Sequence, residues 1–395
     1  MALRQLTDLD TDKLKSGDRY SDGSAGAKVF NSTKTIDSTD GFYNSRITGS
    51  SGGNTASTPD LADGTYNLPC KIIQTQGTGA NADPNNEYNF LISVSGGVAT
   101  FRYNLTLTFN TGAQIVTSKP WSTVVVQTGV VISPPAWNGQ KGGELYICAS
   151  SSIITQGTGY FNVSGLGFRG GQAVSQTDGY QGEGYSGVGG QSTAANGNGG
   201  GGGTDGGLHG GFGGGSGASG GNSASGNNGS GAGSSGGGGT AGSSAGNSSL
   251  TSMVMAGAAG SGGAQYSGNS SGAGANSAGN IDLVARVINV LFHADGNNGG
   301  NATSGSDAGG GAGGTGGNVR CKGQSITFQS GCTATYGVGG VHQGSGADGA
   351  TGVNGRVHAD APSNAAVSGS PTPAYTFTAQ QVLVDTGGAF AFLIN

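Results

Sequence analysis

Charge is scarce in this chain of 395 residues. Asp, Glu, Lys and Arg make up 9% of it, and the formal net charge is −5. So few charges exclude a chain held open by self-repulsion, and their sign argues against a polyanion-binding surface, so no nucleic-acid partner is expected. No apolar run approaches the ~18 residues that a membrane-crossing helix needs, and membrane insertion is not expected. Residues 1–6 lack the apolar core of a signal peptide. The four cysteines, Cys70, Cys148, Cys321 and Cys332, are too few and too scattered for a disulfide framework. A single Cys321–Cys332 bridge stays open, beside a reading of Cys321 as a small core residue. There is no CxxC or Cys/His cluster, so neither zinc nor any other cofactor is expected.

Catalytic signatures are equally thin. Glutamate occurs only at Glu87, Glu144 and Glu183, and no carboxylate pair of the kind used in glycoside hydrolysis stands on one strand face with a His or Arg beside it. Asp282 and Arg286 share a face and read as a surface pair. The four histidines, His209, His293, His342 and His358, have no GxSxG nearby, and no GK[ST] completes a phosphate loop. The Asp8-Leu-Asp10-Thr-Asp12 run opens like a calcium loop, but Lys13 and Arg19 stand where its glycine and glutamate would be, so it reads as a solvated acidic edge. An enzyme is not expected.

Glycine is what the chain has in abundance: 87 residues, about 22% against a usual ~7%. It is organised. Ile281-Asp-Leu-Val-Ala285, Val319-Arg-Cys-Lys-Gly323 and Val357-His-Ala-Asp-Ala361 follow one another at a constant offset of 38 (319 − 281 and 357 − 319). Each alternates like a strand with one buried face. Glycine tracks in strict threes precede the second and third copies: Gly310, Gly313, Gly316 in GGX triplets, then Gly346, Gly349, Gly352, Gly355 in GXX triplets. Three residues is the polyproline II period. Such segments bond to one another only through faces that carry no side chain, and GGX leaves two such faces while GXX leaves one. The expected fold is all-β: short strands and stacked polyproline or polyglycine II segments in a repeat body, rather than a flexible glycine linker.

Ahead of the body, residues 36–138 read as a small knob-like β domain. Tyr88 to Val94 predicts one strand and the alternating Phe101, Tyr103, Leu105, Leu107, Phe109 another, with Trp121 to Val126 a third. Residues 1–35 form an N-terminal segment, and 139–395 form the repeat body with an insert at 186–280. Glu144-Leu-Tyr-Ile-Cys-Ala149 with Ile153 reads as an early, outlying copy of the repeat. Val382-Leu-Val384 and the closing Phe390-Ala-Phe-Leu-Ile394 add apolar strands.

Leu6-Thr-Asp-Leu-Asp10 with Lys15-Ser-Gly-Asp-Arg-Tyr20 resembles the N-terminal stretch of bacteriophage tail and head fibre proteins. Asp40-Gly-Phe-Tyr43, Asn67-Leu-Pro69, Tyr88 to Val94 and Lys119-Pro-Trp-Ser122 are similar to the knob domains of phage and pyocin fibres, although Val124 stands where some members carry a second Trp. Residues 139–395 resemble glycine-rich phage surface proteins and, more distantly, adhesins built of stacked polyglycine helices, without that group's interloop motifs. The resemblance implies a virion protein, a homotrimer, contact with other virion proteins through residues 1–35, and a host glycan or outer-membrane protein as receptor. The alternative is a structural virion-surface or extracellular filament protein.

Within the glycine scaffold Tyr180, Tyr185, His209, Phe212, Met253, Met255 and Tyr266 are isolated large side chains with little local core to enter. They are the candidate receptor-binding residues, since tyrosine offers contact area at small entropic cost and binding residues gather on loops of rigid scaffolds. The competing reading is that they plug gaps between segments.

Overall fold

A computed structural model describes residues 23–49, 51–77, 86–204, 213–218, 226–227, 229, 238–264, 270–303, 307–379, 381–384 and 390–393. The fold is all-β. Among the described residues the helical pieces are two three-residue turns, at 38–40 and 364–366.

In chain order, β1 (Ala27–Phe30) and β2 (Lys34–Thr35) come first. Then follow β3 (Asn44–Arg46), β4 (Thr55–Ser57), β5 (Gly64–Gln74), β6 (Asn86–Ser95), β7 (Val98–Phe101) and β8 (Ala113–Thr117). The chain continues with β9 (Trp121–Val126), β10 (Val131–Ser133), β11 (Glu144–Thr155) and β12 (Tyr160–Asn162). After the glycine insert come β13 (Asn280–Val284), β14 (Val287–Val290), β15 (Phe292–His293) and β16 (Asp307–Ala308). Next are β17 (Asn318–Lys322), β18 (Ser325–Phe328), β19 (Gln343–Gly344), β20 (Arg356–Ala361) and β21 (Val367–Ser368). Finally β22 (Thr376–Ala379) leads to β23 (Gln381–Val384) and β24 (Phe390–Leu393), which pair antiparallel.

The body is a stack of parallel coils. On one side β11, β13, β17, β20 and β22 pair in register, so Leu145, Ile281, Val319 and Val357 form one ladder and Ile147, Leu283, Cys321 and Ala359 the next. On a second side β1, β9, the far half of β11, β14, β18 and β21 pair in parallel, bringing Val124, Ile153, Ile288 and Ile326 into line. A third side is short: β2, β10, β12 and β15. The offset of 38 is therefore the length of one coil, and alternation puts the odd-numbered repeat residues inside, where they are nearly all solvent-free. The outlying copy at Glu144 pairs directly with β13 across the whole insert, with Asn280 Nδ2 donating to Glu144 Oε1 at 2.6 Å.

Between β15 and β17, and again between the following coils, the chain leaves the stack along one glycine-rich leg and returns along another. The outgoing legs bond to each other every third residue: Gly296, Gly299 and Ala302 N–H donate to Thr335, Val338 and Val341 C=O. The returning legs do the same, Gly310, Gly313 and Gly316 to Ala347, Ala350 and Val353. Outgoing and returning legs are tied antiparallel, with Gly311, Gly314 and Gly317 donating to Gly300, Asn297 and Ala294. Three-residue spacing on several sides of one segment is the packing of polyglycine II helices. A Cβ built at Gly310, Gly313, Gly316, Gly346, Gly349, Gly352 or Gly355 would lie closer than 3.0 Å to a neighbouring backbone atom.

Triplet composition reports position in this lattice. The GGX leg at 309–317 is interior, and both glycines of each triplet abut backbone: Gly313 faces Gly337, Gly314 faces Asn276. The third residue enters a small alanine core, where Ala312 packs with Ala259, Ala275 and Ala350. The GXX leg at 346–355 lies at the edge, so its second bare face is unnecessary and Asp348 and Thr351 are exposed. The described parts of the insert join the same lattice, Gly214 donating to Gly310 and Ala218 to Asn198.

Two boundaries move. Strands β1, β2, β9 and β10 belong to the coil stack, so residues 27–35 are its first coil and Trp121 to Ser133 its second. What is inserted between them is a six-stranded antiparallel sheet, ordered β3-β8-β5-β6-β7-β4, over its own core of Ile72, Leu91, Phe101, Phe109 and Ile115. The expected strand from Phe101 to Phe109 ends at Phe101. The buried Glu87 carboxylate accepts hydrogen bonds from Thr106 N and Leu107 N (2.9 and 3.1 Å), pulling the segment into a loop that still buries Phe109. A charge-assisted anchor outweighs the strand pattern.

Candidate binding surface and the buried ionic seam

The described candidate residues separate into two groups. Met253 and Met255 are fully buried. Met253 packs with Ile73 and Leu250, and Met255 with Trp137, Phe168 and Ala258. A side chain without solvent contact has no surface to offer a receptor, so these two are core. Beside the local Leu250 and Ala258, their partners are Ile73 of the inserted sheet and Trp137 and Phe168, distant in sequence, so the glycine surroundings do not show this core. His209, Phe212 and Tyr266 lie outside the described residues.

Tyr180 and Tyr185 are half-buried, and both have backbones fixed by the lattice. Tyr180 N–H donates to Ser261 Oγ at 2.8 Å, and Ser261 N–H returns the bond to Tyr180 C=O at 2.9 Å. Tyr185 N–H donates to Asn198 Oδ1 at 2.9 Å, and its C=O accepts from Gly77 N–H of the inserted domain at 2.8 Å. Between them Glu183 is buried, with Trp137 Nε1 (2.9 Å) and Arg169 (2.5 Å) on its carboxylate. The two rings thus flank a pinned β-like segment, with Val188 exposed on the same excursion.

The outer face of the β11–β13–β17–β20 side holds what alternation alone could not disclose. In register, Tyr146, Asp282, Arg320 and His358 form one row, and Cys148, Val284, Lys322 and Asp360 the next. All are buried, because β5 and β6 of the inserted sheet and the returning segment at 247–254 cover them. Lys71 Nζ meets Glu144 at 3.2 Å and Asp282 at 3.6 Å. Tyr88 Oη donates to Asp282, and Lys322 Nζ sits 3.6 Å from the centroid of the Tyr88 ring. Arg320 Nε donates to Asp360 Oδ2 at 2.7 Å and its Nη1 to Leu250 C=O at 2.9 Å. Asp282 is therefore no surface partner of Arg286: it is fully buried, while Arg286 is exposed.

Burial pushes Glu144 up, and the opposing pull of Lys71 and Asn280 does not cancel it. Asp360 goes the other way. Burial raises it, but the Arg320 charge, the His358 hydrogen bond and the Lys322 charge together hold it well below the usual carboxylate range. Cys148 and Cys332 are pushed up to about 12, mainly by burial, and all four cysteines are free and buried, so the Cys321–Cys332 bridge is not formed. Thiols held protonated at neutral pH are poor nucleophiles and poor metal ligands. Among the described residues no group of three or more His, Cys, Asp or Glu is placed to hold a metal ion. The seam's chemistry is that of a dock, joining the inserted sheet and the insert's return to the coils.

Fold and site together define a protein class: an all-β stack of parallel coils that carries an inserted antiparallel sheet and a polyglycine lattice. Comparison with protein-family models, with curated proteins and with solved structures found no match to this chain.

Proposed function

We propose that this chain is a phage fibre or fibre-tip protein that binds the host surface without catalysis, as a virion component whose receptor is a cell-surface glycan or an outer-membrane protein. The observation that carries this reading is the display of Tyr180 and Tyr185: half-exposed rings on backbone that a hydrogen-bonded lattice pins in place. A rigid support lowers the entropic cost of binding, and tyrosine is well suited to use it. Changing Tyr180 and Tyr185 together to Ser is expected to abolish attachment to host cells while the melting temperature stays nearly constant. A fall of many degrees would identify the rings as packing and sink this site.

A structural filament role is the second reading, and one feature favours it. Tyr336, Val338 and Val341 are 45, 53 and 54% exposed along the outgoing leg at the lattice edge. Such a stripe suits contact between subunits. The resemblance to fibre knobs implies a trimer under either reading. Sedimentation of the intact chain at micromolar concentration is expected to give that trimer, and monomer alone would rule it out for the isolated protein.

A further inference from the structure

The inserted sheet carries a groove that brings Tyr43 and Lys119, from two of the quoted motifs, beside Asp63 and Tyr66, which no candidate site included. It is an open hollow of about 380 Å³ lined by Tyr43, Tyr66, Asp63, Thr65 and Lys119, and a second open hollow of about 270 Å³ also borders Tyr43. The first is within the ~300–1,000 Å³ usual for small-ligand sites. Tyr43 and Tyr66 meet edge to face, with centroids 5.3 Å apart at 88°, and both are half-buried. A T-shaped contact covers at most one face of either ring.

The Tyr66 ring and the Tyr43 backbone are held before any ligand arrives. Tyr66 Oη donates to Ala62 C=O at 2.7 Å. Tyr43 N–H donates to Thr117 Oγ1 at 2.9 Å, and Thr117 N–H donates to Tyr43 C=O at 3.0 Å. Asp63 is exposed, and among the described residues its Oδ2 accepts from Gly96 N–H at 3.0 Å while Oδ1 has no partner. Among the described residues the Lys119 ammonium makes one hydrogen bond, to Thr39 C=O at 3.2 Å, and lies 5.5 Å from the centroid of the Trp121 ring; an ammonium can donate three. In the second hollow, Asp60 is already neutralised by Arg46 at 3.5 Å and Lys141 at 3.3 Å.

We propose that this groove binds a neutral hexose oligosaccharide, one sugar ring against the Tyr43–Tyr66 pair with its hydroxyls on Asp63 and Lys119. An aromatic face takes the C–H face of a pyranose, a carboxylate accepts from vicinal hydroxyls, and an ammonium donates to a third. One anion and one cation at the groove favour a neutral ligand over a phosphate or a polyanion, which would need clustered cations. Rigid rings lower the ordering cost that weak sugar binding cannot bear. The proposal deepens the host-attachment reading and rests on it only for where the sugar comes from.

The test is saturation-transfer NMR of the intact chain with a panel of neutral di- and trisaccharides of glucose, galactose and mannose. At least one is expected to bind, and Tyr66→Ala and Asp63→Ala should each weaken it about tenfold or more, while Arg286→Ala, at an exposed position of the coil body, leaves it unchanged. Asp63 is exposed, so Asp63→Ala serves if Tyr66→Ala fails to fold. No saturation transfer from any member, or equal binding by folded Tyr66→Ala and Asp63→Ala chains, overturns the groove. Loss of sugar binding with cell attachment intact supports the groove and leaves attachment to another surface, whereas sugar binding by a chain that attaches to no cell supports the groove and counts against the attachment reading.

Discussion

Replacing Gly313 with Val should cost at least about 3 kcal/mol, beyond the ordinary penalty for overpacking a core. The site offers no room for relaxation. A Cβ at Gly313 would press on the Gly337 carbonyl, which is backbone and cannot swing aside. Its own N–H is meanwhile committed to Ala350 C=O at 2.8 Å, and Ala350 N–H to Gly214 C=O at 3.0 Å. Separating one pair of segments therefore breaks bonds on others. Two residues on, Thr315 is equally buried, but its Oγ1 has no hydrogen-bond partner among the described residues. Thr315→Val keeps the shape and removes an unpaired hydroxyl, so it should be neutral or slightly stabilising. Chemical denaturation of the two variants gives the contrast. Equal losses would mean that the glycine legs are not closely stacked.

The second large effect is expected at Arg320. Arg320→Met removes the partner of Asp360 and of the Leu250 carbonyl while leaving both buried, and breaking a buried pair in this way costs about 3–5 kcal/mol. Acidity should change that figure in a defined direction. Asp360 has a folded-state pKa below the unfolded value of about 3.9. Its contribution is thus present above that value and is lost as pH falls through the depressed folded one. Without Arg320 the buried carboxyl shifts upward, and its charge becomes a cost as pH rises. The gap in melting temperature between wild type and Arg320→Met should be widest near neutrality and should shrink below about pH 4. A gap independent of pH would show that Arg320 acts through packing alone.

Much of the body was legible because its information is periodic. The 38-residue offset matches the register of β13, β17 and β20, and the triplets mark the stacked legs; that the 309–317 leg is interior and the 346–355 leg lies at the edge comes from the structure. Periodicity says nothing about what covers the outer face of a strand. Asp282 and Arg320 look like surface residues until Lys71 and Tyr88 arrive from 211 and 194 positions away in the first case (282 − 71 and 282 − 88). Met253 and Met255 are core for the same reason, since Ile73, Trp137 and Phe168 reach them from remote chain. Of the proposed sites, Tyr180 and Tyr185 stood out by contrast with glycine. The Tyr43–Tyr66 groove did not: Tyr43 and Lys119 fall in quoted motifs, but nothing in the sequence brings them beside Tyr66 and Asp63.

The claim on which the account turns is that the glycine-rich half is an ordered, hydrogen-bonded scaffold rather than a tether. Amide hydrogen exchange of the intact chain, followed by mass spectrometry, tests it directly. Peptides covering 294–302, 309–317 and 346–355 should exchange slowly, close to those covering β13, β17 and β20, because Gly296, Gly299, Gly311, Gly313, Gly314 and Gly349 all donate to neighbouring segments. Exchange of those glycine peptides at the rate of an unstructured chain, while the β13 and β17 peptides stay protected, would contradict it.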